Sequence, residues 1–250
     1  MRFPLRYLAT LLMLLAAGLF AACGGGDQEE EAATDKTPEA AAEVASAPAE
    51  ALAKLESYRI DLRFTLEGAA DGEMGLLGVD LEGAFVAPDR SQARVSARLD
   101  ELELEEESIT IGDRTWVKIG DSWVEGEAQF ELDDLSPASL LEGLSPEQLR
   151  LLKPSKETVN GVKSLRYSIG RGDIDALRSL GALVSTEEGL EDLPEEFDID
   201  LWLAEDGGWP VRVTMTARGA IDEGDEISLD FSLDVTDVND PDIEIEPPEM

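Results

Sequence analysis

The sequence contains no histidine and only one cysteine, Cys23. Without histidine, Ser-His-Asp triads and histidine-bearing zinc sites are excluded, because both need imidazole as a base or as a ligand. A single cysteine cannot form a disulfide within the chain. Catalysis would have to rely on carboxylates, lysine, serine or tyrosine, and the sequence shows no motif that arranges them. We therefore predict that the protein is not an enzyme and that it holds no cofactor and no metal.

Positive charge is scarce as well. The chain has 20 Lys and Arg against 56 Asp and Glu, which gives a formal net charge of -36. A surface of this sign repels the phosphates of nucleic acids, so nucleic-acid binding is excluded. Acidic clusters at 101–107, 187–196 and 234–242 suggest either calcium binding or a solvated face. The solvated face is favoured, because none of the clusters follows the residue order of an EF-hand loop.

Long apolar runs are absent with one exception, Leu8–Phe20, near the start of the chain. Arg2 and Arg6 precede this run, and the small residues Ala21-Ala22 follow it. The order is that of a secretory signal peptide, and the run is shorter than the ~20 residues that a transmembrane helix needs. We predict that residues 1–22 are a cleaved signal peptide.

The cysteine stands directly after this segment, and Leu19-Phe20-Ala21-Ala22-Cys23 resembles a bacterial lipobox. The resemblance implies that Cys23 receives a diacylglycerol and becomes the mature N-terminus. Two or three acyl chains, at about 0.8 kcal/mol per buried methylene, would hold the protein firmly to the extracytoplasmic face of the cell membrane. The alternative is an ordinary secreted protein with an unpaired cysteine.

Residues 24 to about 50 are rich in Gly, Glu, Ala and Pro, with almost nothing to bury. Such acidic, low-complexity sequence is typical of a disordered tether. We predict an acylated tether over 23–50 and one folded domain over 51–250, and roughly 200 residues suffice for a sizeable core. A short helix is predicted over 49–56, where the chain enters the domain.

Strand signals fill most of the domain. Apolar residues alternate with polar ones from Tyr58 to Leu66, which is typical of a strand with one buried and one wet face. The same alternation recurs at 79–85, 93–99, 102–111, 115–125, 197–203, 211–217 and 227–235. Turn residues separate these segments, which predicts about 8–11 antiparallel strands joined as meanders. A turn is also predicted over the Gly-rich segment Gly68–Gly78.

Helix signals are confined to the middle of the chain. Ser136-Pro137 and Ser145-Pro146 each pair an N-cap residue with proline at the first helical position. A further short helix is predicted over Asp173–Leu183. One face of the sheet is polar and must lie in water, so the short helices are needed to cover the other. The numbers of predicted strands and short helices best fit an α+β fold, in which a strongly curved antiparallel sheet wraps around these helices.

The order of lipobox, acidic tether, strands, helices and strands resembles the LppX/LprG-type and LolA-like bacterial lipoproteins. The most specific segments are Thr115-Trp116-Val117-Lys118 and Asp200–Val211, and the latter resembles the strand–turn–strand pattern "lWi…dG.P.r" of these proteins. The resemblance covers most of 50–247. It implies a half-barrel sheet whose concave apolar side is closed by helices and holds acylated lipids or acyl chains.

The alternating apolar residues carry the functional hypothesis, which is binding or carriage of a lipid or acyl chain. If they line a cavity, the predicted lining is Leu62, Phe64, Leu81, Phe85, Val95, Leu201, Val213, Met215, Leu229 and Phe231. The alternative is that they pack as a solid core. Burying a sixteen-carbon chain would gain ~13 kcal/mol, before association costs of about 4–15 kcal/mol. The remaining free energy corresponds to reversible binding, as a carrier needs.

Two other functions stay open at this point. One is a ligand-free structural lipoprotein that presents its sheet to an envelope protein, and the other is a hydrolase with paired carboxylates. Trp116, Trp123, Trp202 and Trp209 lie near predicted hairpins, and Trp202 falls on the polar face of its strand. An exposed tryptophan would mark a partner or membrane contact. The alternative is a tryptophan that packs over a neighbouring strand.

Overall fold

The structure is a computed structural model. It describes residues 47–70, 73–128, 141, 144, 146–150, 152–173, 194–222 and 225–249. The predicted signal peptide, Cys23 and most of the predicted tether lie outside the described residues. So do the helix predicted to start at Ser136-Pro137 and all but the first residue of the helix predicted over Asp173–Leu183. Within the described ranges, no helix is both long enough and apolar enough to cross a membrane.

Eleven antiparallel strands form one sheet. They are β1 (Ser57–Ala70), β2 (Glu73–Val86), β3 (Arg90–Leu99), β4 (Leu102–Ile111), β5 (Arg114–Ile119), β6 (Ser122–Glu125), β7 (Ser155–Val159), β8 (Val162–Gly170), β9 (Glu196–Ala204), β10 (Pro210–Asp222) and β11 (Asp225–Thr236). Their order across the sheet is β6-β5-β4-β3-β2-β1-β11-β10-β9-β8-β7. The sheet is not closed, because β6 and β7 are its two edges. This confirms the predicted α+β half-barrel of about 8–11 antiparallel strands.

The first and the last strand pair at the centre of the sheet. β1 and β11 run antiparallel from Arg59 opposite Thr236 to Ala69 opposite Glu226. This pairing joins two meanders, β1–β6 and β7–β11, in which every strand pairs with its neighbour in sequence. Most of the fold therefore follows from local hairpins, and one long-range pairing holds the two halves together.

Each strand presents alternate residues to two faces. We call the face that carries Leu62 the inner face and the face that carries Arg63 the outer face. In β1, Ile60 and Leu62 are buried, whereas Arg59 and Arg63 are exposed. This is the alternation expected of a strand with one apolar side and one wet side, and it confirms the sequence pattern.

The Gly-rich segment Gly68–Gly78 is not the predicted turn. β1 continues to Ala70 and β2 begins at Glu73, with Gly68 opposite Gly75. Glycine weakens a strand interior, but its backbone still forms the ladder when a neighbouring strand supplies the partners. The turn prediction is therefore wrong for this segment except at residues 71–72, which lie outside the described residues.

Among the described residues, two short α-helices have defined bounds, and Arg171–Asp173 forms one turn of 3-10 helix after β8. Helix α1 (Pro48–Leu52) begins with proline and has no side-chain cap. It starts one residue before the predicted position and ends well before the predicted end at 56, because the chain turns at Leu55 into β1. Helix α2 (Pro146–Leu149) follows the predicted Ser145-Pro146 signal. Leu52 and Leu149, together with Leu141 and Leu144, pack in the core cluster on the inner face.

The chain after β11, which we call the C-terminal segment (237–249), packs against the sheet. Its first residues join the start of β1, because Glu56 N donates to Asn239 Oδ1 at 2.7 Å. Further along, Arg90 donates to the carbonyl of Ile245 at 3.0 Å. Ile245 is buried with Ile109 and Trp116 on the outer face. The segment therefore covers an apolar patch on a face that is otherwise polar.

Candidate functional site

An unbroken row of buried side chains crosses the inner face. The row, which we call the middle row, consists of Val95, Leu81, Leu62, Leu233, Val213, Leu201 and Tyr167, each directly opposite the next. None of its members is more than 4% exposed. Side chains that are directly opposed on one face contact each other, so the row forms the spine of the core. Five of the predicted lining residues lie in it: Leu62, Leu81, Val95, Leu201 and Val213.

A second row runs beside the middle row and is less completely covered. It consists of Leu104, Ala97, Val79, Phe64, Phe231, Met215, Ile199 and Ile169. The predicted residues Phe64, Met215 and Phe231 belong to this row and are half-buried against the core cluster. Its ends differ sharply, since Ile169 is 1% exposed and Leu104 is 48% exposed. The side chains of this row therefore become more exposed from β8 towards β4.

A third row repeats this gradient. It consists of Leu102, Leu99, Leu77, Leu66, Leu229, Ala217 and Phe197. The predicted residue Leu229 is half-buried in it, Phe197 at one end is 6% exposed, and Leu102 at the other end is 56% exposed. The two rows together leave a contiguous apolar surface partly uncovered on β1–β4 and β11. We call this surface the open corner of the inner face.

Phe85 lies apart from the other predicted lining residues. It is on the inner face but on the other side of the middle row, where it is opposite Tyr58. The two rings stack with their centroids 5.1 Å apart. Phe85 therefore packs at the end of the sheet where β1 begins, away from the open corner.

Several residues of the inner face are missing from the predicted lining. Leu233 and Ile199 stand in alternating runs, so the period-two pattern already marks them as apolar strand positions. Leu77 falls in the Gly-rich segment for which a turn is predicted, so no signal points to it. Leu102 and Leu104 carry the pattern too, but only the pairing of β4 with β3 shows that they continue the rows of the inner face.

No protein-family model matches the chain, and no curated protein matches it. Among solved structures, the chain is similar to LprF from Mycobacterium bovis at 12% identity and a TM-score of 0.40, over 80% of this chain and 93% of that chain. It is also similar to the LolA superfamily protein NE2245 from Nitrosomonas europaea at 9% identity and a TM-score of 0.21, over 72% of this chain and 86% of that chain. The name of the second structure is that of the LolA superfamily, one of the groups that the sequence motifs resemble.

Trp202 is buried on the outer face, so of the two alternatives for this residue the structure supports packing over a neighbouring strand. The residue is 8% exposed and packs with Ala204 and Val211. The guanidinium of Arg166 lies over the ring at 5.1 Å, and the indole Nε1 donates to Glu157 at 2.9 Å. The residue therefore presents no free aromatic surface to a partner.

The charges around Trp202 are mutually paired. Arg166 donates to both carboxylate oxygens of Asp200, at 3.0 and 2.7 Å, and to Glu157 at 3.2 Å. Burial acts to raise the pKa of the Asp200 carboxyl, but hydrogen bonds from Arg166 and Ser168 outweigh it, and the pKa lies below its ordinary value of 3.8. The Trp202 indole, followed by Arg166, lowers the pKa of Glu157. Both acids stay ionised near neutral pH, so this cluster offers no proton donor for catalysis.

Two residues of the acidic cluster at 101–107 form ion pairs on the outer face of β4. Glu103 lies 2.6 Å from Arg98, and Glu107 pairs with Lys118 at 2.8 Å and with Arg94. The hydrogen bond from Lys118 is the main cause that lowers the pKa of Glu107. Across the part of the chain that the structure describes, no three Cys, Asp or Glu side chains come together as a metal-binding group.

One small pocket of about 440 Å³ lies at the end of the sheet where β11 leaves it. It is lined by Asn160, Val162, Trp209, Val235, Thr236, Asp237 and Val238. The one titratable side chain of this lining, Asp237, lies 3.2 Å from Arg59. The described lining of this pocket therefore contains no pair of carboxylates.

Proposed function

We propose that this protein is a membrane-anchored lipoprotein that binds or carries a lipid or acyl chain against the inner face of its sheet. The observation that carries the proposal is the open corner, where large apolar side chains stay partly uncovered beside a fully buried middle row. A contiguous uncovered apolar surface in a folded domain is a typical site for an apolar partner. Each acyl methylene moved from water onto such a surface contributes about 0.8 kcal/mol.

The proposed anchor is the acylated Cys23 that follows the signal peptide. We expect metabolic labelling with an alkyne fatty acid to mark the wild-type protein, and the protein to be recovered in the membrane fraction. The variant Cys23→Ser is expected to lose the label and to leave that fraction. Labelling that persists in Cys23→Ser would contradict the anchor without affecting the binding proposal.

Native mass spectrometry of the full-length protein purified from its host tests binding. We expect a co-purifying lipid in the wild type. In Leu104→Asp, a carboxylate replaces an exposed apolar side chain of the open corner, and desolvating this charge beside an acyl chain is unfavourable. We expect the lipid-bound fraction to fall about tenfold, which corresponds to ~1.4 kcal/mol.

Ser228→Asp is the matched control, because it adds the same charge on the outer face beside Arg218, which already contacts Ser228 at 3.4 Å. We expect this variant to keep its lipid. Repeated absence of lipid from the wild type would contradict the proposal, as would an equal loss in both variants.

The second candidate function is interaction with an envelope protein. Ile119 on β5 and Val124 on β6 are 67% and 47% exposed, and β6 is an edge of the sheet. Exposed apolar residues at an unpaired edge favour contact with another protein chain. Absence of lipid from the wild type, together with cross-linking from residue 119 or 124 to one envelope protein, would favour this candidate.

A further inference from the structure

The open corner is two rows wide along the strands. On one side of it lies the middle row, none of whose members is more than 4% exposed. On the other side, the next inner-face positions of β1, β2 and β10 are Gly68, Gly75 and Gly219, which carry no side chain. Neighbouring rows are about 6.7 Å apart, because each residue advances a strand by about 3.3–3.4 Å. The uncovered apolar surface is therefore narrow along the strands and long across them.

The end of this surface towards β9 is closed. Where the second and third rows reach β9, their members are Ile199 and Phe197, which are 2% and 6% exposed. Ala217 on β10, directly opposite Phe197, is 4% exposed. These side chains are already covered by other atoms of the protein. The uncovered surface therefore stops at the half-buried Met215 on β10.

The end towards β4 is open to water. Leu102 and Leu104 are 56% and 48% exposed. The pairing of β4 with β5 covers only Ser108–Ile111, so the part of β4 that carries the two leucines is an edge of the described sheet. Glu103 and Glu105, which alternate with them on the outer face, are exposed as well. A polar group placed at this end of the surface stays hydrated.

The length of the surface matches a long acyl chain. From Leu104 on β4 to Met215 on β10, the second row crosses six adjacent strands, and a strand spacing of about 4.8 Å gives roughly 24 Å. The third row crosses five strands from Leu102 to Leu229, which is roughly 19 Å. An extended hydrocarbon advances roughly 1.3 Å per carbon, since its C–C bonds are about 1.5 Å long. The two rows therefore fit chains of about 16–20 carbons.

The two ends also differ in what they offer a polar headgroup. At the closed end, the members of the second and third rows are the apolar residues Met215, Ile199, Ala217 and Phe197. A headgroup placed among them would lose water without gaining a hydrogen bond from these side chains, which is unfavourable. At the open end the headgroup keeps its water while the chain covers the apolar surface. One direction of the chain is therefore favoured over the other.

We propose that the open corner holds an extended acyl chain of about 16–20 carbons that lies across the strands, with its methyl end at Met215 on β10 and its polar end at Leu104 on β4. This inference rests on the proposed lipid-binding function and specifies the length and the direction of the bound chain. The selectivity for chain length follows from the distance between the closed end and the open end.

Photo-cross-linking tests the direction. Full-length protein is incubated with palmitic acid that carries a diazirine either near the methyl end or near the carboxyl end, and the labelled peptides are identified by mass spectrometry. We expect the methyl-end probe to label β9–β11 and the carboxyl-end probe to label β3 and β4. The reverse pattern, or the same peptides for both probes, overturns the inference and leaves the proposed function standing. Absence of binding of either probe contradicts the proposed function, and the inference with it.

Competition among fatty acids tests the length. Full-length protein is mixed with equal amounts of lauric, palmitic, stearic and lignoceric acid in neutral detergent micelles, and the bound acids are quantified by mass spectrometry. A shorter chain leaves apolar surface uncovered, and a longer one projects methylenes into water past Leu104, at up to about fourfold in affinity per methylene. We expect palmitic and stearic acid to exceed the other two at least about tenfold. Equal binding of all four acids overturns the inference, whereas binding of none contradicts the proposed function.

Two variants with the same added ring locate the closed end. Met215→Trp fills the end of the second row, and Thr216→Trp adds the indole on the outer face, one residue away along β10 and opposite Asp230 and Asp198. We expect Met215→Trp to raise the ratio of bound lauric to bound palmitic acid several-fold and Thr216→Trp to leave it unchanged. An equal shift in both variants would contradict the role of the closed end. If Met215→Trp does not fold, the cross-linking and the wild-type competition still decide the inference.

Discussion

Trp202 on β9 reaches across β8 and donates a hydrogen bond from its indole Nε1 to Glu157 Oε2 on β7, 2.9 Å away. The guanidinium of Arg166 on β8 lies between the two and contacts both. Three neighbouring strands at one edge of the sheet are thus joined by side chains as well as by their backbones. The polar outer face contains a buried aromatic residue here, as it does at Trp116 on β5.

Removing the indole N–H should weaken this edge. Trp202→Phe keeps an aromatic ring but leaves the Glu157 carboxylate with one donor fewer, and we expect the free energy of unfolding to fall by about 1 kcal/mol. Urea denaturation followed by circular dichroism measures it. Trp123→Phe is the control, because Trp123 is only partly buried and its ring contacts Lys118 without an indole hydrogen bond to a described residue. Equal losses in the two variants would show that ring size matters more than the hydrogen bond.

The pairing of Asp200 with Arg166 should appear as a pH dependence. The pKa of Asp200 is lower in the folded state than its ordinary value of 3.8. Its ionised form therefore stabilises the fold above that value, and the contribution is lost as the pH falls through the lowered folded pKa. We expect Asp200→Asn to be about 1–3 kcal/mol less stable than the wild type at neutral pH. The difference should shrink steadily below pH 3.8.

The control for this experiment is Asp230→Asn. Asp230 pairs with Arg218 at 3.0 Å, but both side chains are about half exposed, and such pairs contribute at most about 1 kcal/mol. A difference between wild type and Asp200→Asn that stayed constant down to the acid limit would mean that packing, not ionisation, explains the loss.

Gly83 on β2 lies opposite Ile60 on β1, on the inner face of the sheet. A Cβ atom at this position would lie 2.9 Å from Ile60 Cγ1 and 3.2 Å from Cδ1. Overpacking of this kind costs about 1–3 kcal/mol, so we expect Gly83→Ala to lower the free energy of unfolding by that amount. Gly126→Ala should have little effect, because a Cβ atom on Gly126 would meet nothing within 4 Å. In the double variant Gly83→Ala/Ile60→Ala, we expect the loss in free energy of unfolding to be smaller than the sum of the losses in the two single variants.

Ile245 holds the C-terminal segment on the outer face. It is 2% exposed and packs with Ile109 and Trp116. Truncating a buried isoleucine to alanine typically costs about 2–5 kcal/mol, and we expect Ile245→Ala to lie near the low end, about 2 kcal/mol, because the segment can move to fill the space. Thermal unfolding followed by tryptophan fluorescence measures the change. The neighbouring exposed residue supplies the control Glu246→Ala, and an unchanged Tm in Ile245→Ala would show that the segment adds nothing to stability.

The strands could be predicted because their side chains alternate strictly. Ile60 and Leu62 mark a buried face and Arg59 and Arg63 a wet one, and this local pattern needs no knowledge of the partner strands. The pattern does not show which residues of neighbouring strands lie opposite each other. The pairing of Leu62 with Leu233 joins residues that are far apart in the chain, so the rows of the inner face and their gradient of exposure emerge only when the strands are aligned.

One strand departs from its pattern for an identifiable reason. The alternation at 211–217 places Val211 on the same face as Val213, but Val211 is buried with Trp202 on the outer face. The register of β10 with β9 shifts between Pro210 and Arg212, which leaves Val211 as an additional residue. Such a β-bulge inserts one residue and reverses the faces beyond it, and a sequence pattern of period two contains no signal for the insertion.

The central pairing of β1 with β11 has a consequence for how the chain reaches its native state. The partner of the first strand is the last one to be synthesised, so no shorter N-terminal fragment can complete the sheet. Folds that depend on contacts between distant parts of the sequence form slowly, since a large loop must close before the contacts can stabilise it. The sheet of such a chain is therefore completed only after β11 has been made, even though the hairpins of β1–β6 need no residue beyond β6.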